Sequence, residues 1–518
     1  MDYVGILIVA TVVVLASKIW NVVWIFLWRP YVLTKRFGKQ GVRGPPYSLC
    51  FGSLTEMKNL KMEANHTLLD PTSNHILPRI LPHYHKWCPQ YGETILYWLG
   101  TRPVVSITDL ELVKQIFSEF GFFLKPDCNP AVLALTGKGV ALVNGAEWSR
   151  RRRIVNPAFS VDKLKVMVKR IVKCTISTLE EWENQANSAE EKCLKVEING
   201  EFRKLTADII AHTAFGSSYA QGKEAFKAQN DLQHYCADSI LDVFIPGSHY
   251  LPTPSNLQLW KLDGRIRNSL KQIIKNRLTS SDSDCGHGDD LLGLMIGASE
   301  NTDIKDGQRL NMDEIVEECK TFFFAGHETS ANLLTWTVFL LSINQDWQTR
   351  LREEVFKESG MSNPDADILA RFKLIHMVLL ETLRLYGPVV EMFKQASKDM
   401  KLGNLTIPKD GWVALPLAKI HRSKEYWGDD ADEFNPFRFS NGISKAAKHP
   451  NAFLAFGFGP RSCVGQNFAM MEVKTVLSMI LQRFSFSLSS DYKHAPVDYL
   501  ALRPQYGLPI ILKPLCTK

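Results

Sequence analysis

The sequence predicts a mainly α-helical protein that is held in a membrane by one N-terminal helix. Residues 3–28 are almost wholly apolar and, at about 1.5 Å per residue, long enough to cross a bilayer. Residues 311–344 follow one continuous helical pattern, and the segment from Asn467 has the spacing of an amphipathic helix. We therefore expect about a dozen helices accompanied by small β-sheets.

The composition is that of an ordinary globular protein, with 45% apolar and 22% charged residues. A chain of 518 residues exceeds the usual size of one hydrophobic core, so length alone favours two domains. The net charge of +7 is mild for this length and gives no indication of nucleic-acid binding. The ten cysteines form no CxxC pair, which predicts reduced thiols in a reducing compartment.

The N-terminal apolar stretch is predicted to be an uncleaved signal anchor. A cleaved signal peptide normally carries a basic leader, whereas this chain begins Met1-Asp2. Lys18 interrupts the stretch but can snorkel along a tilted helix. By the positive-inside rule, the basic residues that follow place the rest of the chain in the cytosol. These residues are Arg29, Lys35, Arg36, Lys39 and Arg43.

A short stretch near the C-terminus, Phe-Gly-Phe-Gly-Pro-Arg-Ser-Cys-Val-Gly, combines residue types suited to holding a haem iron. Cys463 can supply a thiolate, a soft ligand that favours O–O cleavage on haem iron. Gly459 and Gly465 allow a tight turn and close approach to a flat macrocycle. Arg461 offers donors suited to a haem propionate, and Phe456 shields the sulfur from water. The alternative is a surface loop with a free cysteine. It is disfavoured because chance places these five residues at their fixed relative positions on the order of once in ten thousand tries.

The long helical pattern carries a second unusual sequence, Ala325-Gly-His-Glu-Thr-Ser, near its middle. Gly326 and Thr329 are costly in a helix interior, and a Thr hydroxyl tends to bond backwards and bend the helix. We expect a local widening that leaves room for dioxygen and water. Alone, this pattern fits an ordinary buried helix with a tolerated Thr.

On these motifs the chain resembles the cytochrome P450 family, over about residues 40–515. It resembles the microsomal plant type in the strings Leu81-Pro-His-Tyr, Phe322-Phe-Phe-Ala-Gly-His-Glu-Thr and Pro504-Gln-Tyr-Gly-Leu-Pro. The resemblance implies that Cys463 is the axial iron ligand of haem b (iron protoporphyrin IX). It also implies that Glu328 and Thr329 relay protons to oxygen. Trp148 and Arg152, at i and i+4, resemble the family pair that contacts a haem propionate.

Three further residues resemble the family's buried ion cluster: Glu381, Arg384 and Arg438. Two positions depart from the family, since Gly387 stands where Pro is usual and Lys394 where a propionate-binding Arg is often found. The run Arg150–Arg153 is expected to add a positive surface for an acidic reductase domain.

The resemblance implies a haem-thiolate monooxygenase that oxidises a lipophilic small molecule with O2. Electrons would come from NADPH through cytochrome P450 reductase, and the enzyme would be a single-pass protein of the endoplasmic reticulum with a cytosolic catalytic domain. The related plant clan includes hydroxylases of fatty acids, cytokinins, gibberellins, brassinosteroids and terpenoids. We predict an anchor over residues 1–28, a basic and Pro-rich linker over 29–46, and one monooxygenase domain over 47–518.

Two other functions stay open at this point. One is a thiolate-haem isomerase or dehydratase that needs no external electrons, and the other is a non-catalytic haem sensor. Neither has a use for the Glu328–Thr329 pair, which therefore favours the monooxygenase. On the substrate side, largely apolar segments predict a lipophilic ligand, and residues 243–252 are expected to dip into the membrane.

Overall fold

The computed structural model describes residues 3–217, 219–239, 241–242, 247–279, 288–300 and 309–515. These residues form a mainly helical fold with small sheets, which confirms the predicted fold class. The α-helices, in chain order, are α1 Tyr3–Val23, α2 Arg29–Lys39, α3 Leu54–His66, α4 Leu77–Ile80, α5 Pro82–Tyr91, α6 Leu110–Ser118, α7 Pro130–Thr136, α8 Gly145–Val155, α9 Val161–Ser188, α10 Ile198–Ala214, α11 Tyr219–Ser239, α12 Pro254–Thr279, α13 Leu291–Glu300, α14 Met312–Ile343, α15 Gln345–Ser359, α16 Ala366–Arg371, α17 Lys373–Tyr386, α18 Leu417–Ile420, α19 Lys424–Trp427 and α20 Gln466–Arg483.

The apolar N-terminal helix continues further than the sequence pattern suggested. A π-helical turn, Trp24–Trp28, joins α1 to α2, so the helix runs on to Lys39. Side chains of α1 are exposed, as expected of a helix that contacts lipid. Leu33 and Phe37 of α2 are buried, and Arg36 pairs with Asp399 at 3.1 Å, so α2 is attached to the rest of the fold. The division between anchor and linker at residue 28 stays a prediction.

The long central helix α14 begins where the sequence predicted. Asn311 caps it, because its side chain accepts from the Glu314 N–H while the Glu314 carboxylate accepts from the Asn311 N–H. Most of its side chains are buried, and it contacts α10, α17 and α20. The helix is continuous from Met312 to Ile343. It therefore crosses the interior and brings its middle residues into the centre of the protein.

Small sheets flank the helices. The strands are β1 Leu96–Leu99, β2 Arg102–Ser106, β3 Phe123–Leu124, β4 Leu194–Glu197, β5 Met392–Ala396, β6 Met400–Leu402, β7 Leu405–Ile407, β8 Trp412–Leu415, β9 Phe484–Leu488, β10 Pro496–Asp498, β11 Leu502–Pro504 and β12 Pro509–Pro514. The largest sheet has the order β1-β2-β8-β5-β3, with β2 and β8 parallel and the other pairs antiparallel. A short connection of five residues joins Tyr386, at the end of α17, to Met392, at the start of β5.

Candidate active site

The loop that carries Cys463 ends at the N-terminus of α20. The backbone N–H of Cys463 donates to the Phe456 carbonyl at 2.8 Å, which closes the loop, and a 3₁₀ turn spans Gly459–Arg461. Gly459 has φ of 71°, a left-handed conformation that favours glycine, so the predicted tight turn is confirmed there. Gly465 has φ of −89°, which any residue adopts, so the turn argument was wrong for Gly465. Close approach of Gly465 to a macrocycle stays a prediction.

The Cys463 side chain is accessible although protein atoms surround it. Burial in the surrounding protein raises the pKa of its thiol above the ordinary value. The Gly465 backbone N–H and the positive charge of Arg152 act in the opposite direction and favour the thiolate.

The middle of α14 also carries accessible side chains. Ala325 is exposed and Thr329 partly exposed, although residues on either side of them are buried. Helices α14 and α20 pack against each other. Cys463 lies three residues before α20, which packs against α14. We infer that Cys463, Ala325 and Thr329 face one space, which we call the interior hollow.

Of the two residues expected to widen α14, Thr329 matches its predicted hydrogen bond and Gly326 has a different role. Thr329 does bond backwards, its hydroxyl donating to the Ala325 carbonyl at 2.6 Å. Gly326, however, faces α10, where a Cβ atom would lie 2.7 Å from Ile210. The glycine therefore allows close approach of two helices, and the helix shows no interruption in its described range.

Glu328 points away from the hollow into a set of polar partners. It is fully buried, and its carboxylate accepts from Arg203 at 3.1 Å, Gln233 at 3.0 Å and Asn332 at 3.1 Å. Burial alone would raise the pKa of Glu328, but the charge of Arg203 and the hydrogen bond from Gln233 lower it to about 2. The side chain is therefore an ionised, tightly held carboxylate.

A group of cations lies close to the cysteine loop. Asn144 joins two of them, because its side chain bonds the backbone of Lys125 at 2.9 Å and accepts from Arg461 at 2.9 Å. Lys394 on β5 is buried. Burial and neighbouring positive charges lower the pKa of Lys394 to about 7, that of Lys125 to about 8 and that of Arg461 to about 10.

The predicted propionate residues lie in this region but contact one another. The Arg461 guanidinium lies over the Trp148 ring at 4.8 Å, and Arg152 donates to the Ser462 carbonyl at 3.0 Å, beside Cys463. Phe456 is partly buried and packs against the hydrophobic core. The structure thus brings Trp148, Arg152 and Arg461 together around the cysteine loop.

Comparison with known proteins identifies the family. The sequence profile described as Cytochrome P450 matches residues 76–509. This chain belongs to the cytochrome P450 family. Among its relatives, Cytochrome P450 709B3 of Arabidopsis thaliana is 51% identical over 514 residues, which cover 99% of each chain. Cytochrome P450 734A1 of the same plant is 39% identical over 495 residues, covering 94% of this chain and 93% of the relative.

A solved structure supports the fold. The retinoic acid-bound cyanobacterial CYP120A1 matches with a TM-score of 0.71 at 24% identity, covering 83% of this chain and 93% of that one. As a cytochrome P450, the protein is a monooxygenase with a haem cofactor, related to plant hydroxylases. Members of the family generally use a reductase and lipophilic substrates, and the apolar N-terminal helix fits a membrane anchor.

The cation group fits the haem of a cytochrome P450. Haem carries two propionate carboxylates, and buried positive charges are costly unless an anion compensates them. Within the described ranges, no ion pair to a carboxylate is made by Lys125, Arg152, Lys394 or Arg461. The positive charges of these residues therefore suit the propionates of haem, and the thiol of Cys463 suits its iron. Lys125 was not predicted from the sequence, because a single Lys far from any motif gives no indication that it binds a cofactor.

The ion cluster expected from the P450 resemblance is present. Arg384 bonds both oxygens of Glu381 at 2.7 Å, and Arg438 lies 3.4 Å from Glu381. Glu381 and Arg384 are buried and Arg438 is partly buried, and Arg384 also donates to the backbone carbonyls of His421 and Glu433. The cluster fixes the segment before the cysteine loop rather than taking part in chemistry.

The basic run on α8 differs from the predicted docking surface. Arg150 and Arg151 both pair with Glu314, and Arg151 also pairs with Glu318 at 3.1 Å. These arginines are thus directed toward α14, and Arg153 is the exposed member of the run. The expectation of a surface formed by the whole run was wrong, because acids distant in sequence neutralise two of its charges.

Proposed function

We propose that this cytochrome P450 is a haem-thiolate monooxygenase that hydroxylates or otherwise oxidises a lipophilic small molecule, with Cys463 as the axial iron ligand. The observation that carries the proposal is the position of Cys463, which faces an interior hollow next to Arg152 and a backbone N–H. When bound, the haem supplies a thiolate-ligated iron that activates dioxygen for transfer of one oxygen atom.

The protein's own residues have distinct tasks in this proposal. Lys125, Lys394 and Arg461 hold the propionates, and Arg152 fixes the loop beside the thiolate. Thr329 donates to the Ala325 carbonyl, so its lone pairs are free to accept from a water molecule in the hollow. That water can then deliver protons to the reaction.

Glu328 contributes to proton delivery only after a local rearrangement. A carboxylate with a pKa of about 2 holds no proton near neutral pH. To carry protons, Glu328 must lose the charge of Arg203, which would let burial raise its pKa. We infer that opening of the Glu328–Arg203 ion pair precedes proton transfer from solvent.

We further propose that the enzyme lies on the cytosolic face of the endoplasmic reticulum and receives electrons from NADPH through cytochrome P450 reductase. The basic residues after the apolar helix support this orientation. Exposed apolar side chains outside the anchor support a second membrane contact. These are Leu49, Phe51, Met62, Leu68, Tyr250, Leu251, Leu257 and Trp260. Of the predicted dipping segment 243–252, residues 243–246 lie outside the described residues.

The proposal is tested with the full chain in microsomes, supplied with reductase and NADPH. The reduced protein should give the red-shifted carbon monoxide band of thiolate-ligated haem, and Cys463→Ala should lose both this band and turnover. Cys193→Ala, a substitution at a cysteine away from the hollow, should keep both. Retention of the band and of product formation in Cys463→Ala would overturn the ligand assignment.

A further inference from the structure

Three side chains that commonly bind metal ions come together between α9 and α10, outside the site described above. Cys174 on α9 carries a thiol, and Asp208 and His212 on α10 carry a carboxylate and an imidazole. The cysteine sulfur, a carboxylate oxygen and a ring nitrogen all lie within 4.8 Å of one another. We call these three residues the α9–α10 cluster.

Asp208 and His212 belong to the side of α10 that is turned away from α14. Residues four apart in a helix share one face, and the Nε2 atom of His212 lies 3.5 Å from Oδ1 of Asp208. Arg203, Thr206 and Ile210 contact α14 instead. At 3.6 residues per turn these contacts lie roughly opposite the Asp208–His212 pair. The cluster is therefore separated from the middle of α14 by the width of a helix.

Cys174 approaches this pair from α9, which packs against α10. Arg170, one turn before Cys174, donates to the backbone carbonyl of His212 at 2.9 Å and so holds the end of α10 against α9. Cys174 is buried, whereas Asp208 and His212 are partly exposed. The cluster is thus a site with the sulfur at its base and two ligand groups that solvent can reach.

The three ligand types together favour a divalent cation of the zinc type. Thiolate and imidazole suit Zn²⁺ and softer ions, whereas Mg²⁺ and Ca²⁺ prefer oxygen ligands alone. In a tetrahedral zinc site, bonds of about 2.0–2.3 Å place the ligand atoms about 3.3–3.6 Å apart. The 3.5 Å between Asp208 and His212 already fits this value. Three protein ligands leave the fourth position to a water molecule.

The thiol of Cys174 must lose its proton when a metal binds. Burial and the negative charge of Asp208 raise the pKa of the thiol, so the sulfur is protonated near neutral pH. A divalent cation would form the sulfur–metal bond in place of the S–H bond, and the proton would leave to solvent. The positive charge of Lys173 acts in the opposite direction to Asp208 and favours the thiolate.

We propose that the α9–α10 cluster binds one Zn²⁺ ion through the sulfur of Cys174, a carboxylate oxygen of Asp208 and a ring nitrogen of His212. The inference goes beyond the proposed oxidation and does not depend on it, since none of the three residues is assigned to the haem. A bound ion would link α9 to α10. It would also stabilise the folded state, because the unfolded chain does not hold the three ligands together.

The test is equilibrium dialysis of the untagged, full-length, haem-loaded enzyme in detergent against Zn²⁺. We expect one Zn²⁺ per chain with a Kd of about 1 μM or tighter. Cys174→Ser and His212→Ala should each weaken binding about a hundredfold, since even residues that only orient a ligand contribute about 10–100-fold. Cd²⁺ should displace the bound zinc, and millimolar Mg²⁺ should not.

Two matched variants control for general surface binding. His75→Ala removes an exposed histidine that pairs with Asp432 at 3.3 Å, and Cys193→Ser removes an accessible cysteine elsewhere. Both should bind Zn²⁺ like the parent protein. Absence of saturable binding below about 100 μM, or an unchanged Kd in Cys174→Ser or His212→Ala, would overturn the proposal. So would losses in the control variants equal to those in the cluster variants.

Thermal unfolding provides a second measurement on the same proteins. Saturating Zn²⁺ should raise the Tm of the parent protein and of both control variants by a few degrees, and that of the cluster variants by less. Far-ultraviolet circular dichroism of each variant without zinc shows that it is folded. An equal rise in Tm for the parent and the cluster variants would contradict binding at this site.

Discussion

The Oε2 atom of Glu328 lies 3.1 Å from the Nε atom of Arg203, and this ion pair joins the middle of α14 to α10. Glu328 is fully buried, whereas Arg203 is about one-fifth exposed. The carboxylate would be strongly destabilised without its partner, because buried charge without compensation is costly. The ionised state of Glu328 on α14 therefore depends on the position of Arg203 on α10.

We expect Arg203→Gln to lower the free energy of unfolding by about 2 kcal/mol, because it leaves the Glu328 carboxylate buried without its counter-charge. Urea unfolding of the variant and the parent protein would measure this loss. The double variant Arg203→Gln/Glu328→Gln should recover most of it, since no unpaired charge then stays buried. A double variant as unstable as the sum of the two single changes would contradict a direct pairing.

Thr329→Ala should uncouple reductant use from product formation. The substitution removes the hydroxyl that is proposed to hold a proton-delivering water, so NADPH oxidation should continue while product per NADPH falls about tenfold or more. Product and hydrogen peroxide are measured together. Thr337→Ala, at a buried Thr that bonds the Leu333 carbonyl in the same manner, should leave the ratio unchanged. Equal losses in both variants would indicate a structural effect.

Haem affinity should fall as pH rises above neutrality. In the haem-free protein, burial lowers the pKa of Lys394 to about 7 and that of Lys125 to about 8. Propionates would raise both pKa values, so the haem-bound state holds more protons. The haem affinity contributed by the protonated lysines is therefore fully present at a pH below their pKa values in the haem-free protein. It is lost as the pH rises through their pKa values in the haem-bound protein.

Transfer of haem to an acceptor protein, measured at several pH values, tests this dependence. Lys394→Arg should flatten the profile, because a guanidinium stays protonated throughout the range. Lys401→Arg, at an exposed position on β6, should leave the profile unchanged. A parent protein whose haem affinity does not vary between neutral and alkaline pH would refute the role of the lysines.

Glu381→Gln should prevent stable haem incorporation. It removes the acid that holds Arg384 and Arg438, and breaking such a buried cluster costs about 3–5 kcal/mol. Haem content per chain and resistance to proteolysis are the measurements. Glu358→Gln, which breaks an ion pair with Arg371 at the protein surface, should have little effect. Normal haem content in Glu381→Gln would show that the cluster is dispensable.

The sequence by itself determined the features that local residues encode. The apolar run from Tyr3, the capped helix from Asn311 and the loop around Cys463 are each specified within a short stretch of chain, and each was predicted correctly in kind. The family followed from the same short motifs. Local patterns suffice here because helix periodicity, caps and tight turns depend on residues close in sequence.

Only the tertiary structure decided which charges are paired and which face the hollow. Arg150 and Arg151 look like a docking surface in the sequence, yet acids more than a hundred residues away neutralise them. The sequence predicted that Gly326 would widen the helix, whereas in the structure it leaves room for the side chain of Ile210. Lys394 acquires its lowered pKa from burial and from the charges of Lys125 and Arg461, which are remote in sequence. Such properties depend on the dielectric surroundings and on contacts between remote segments, which no short stretch of sequence contains.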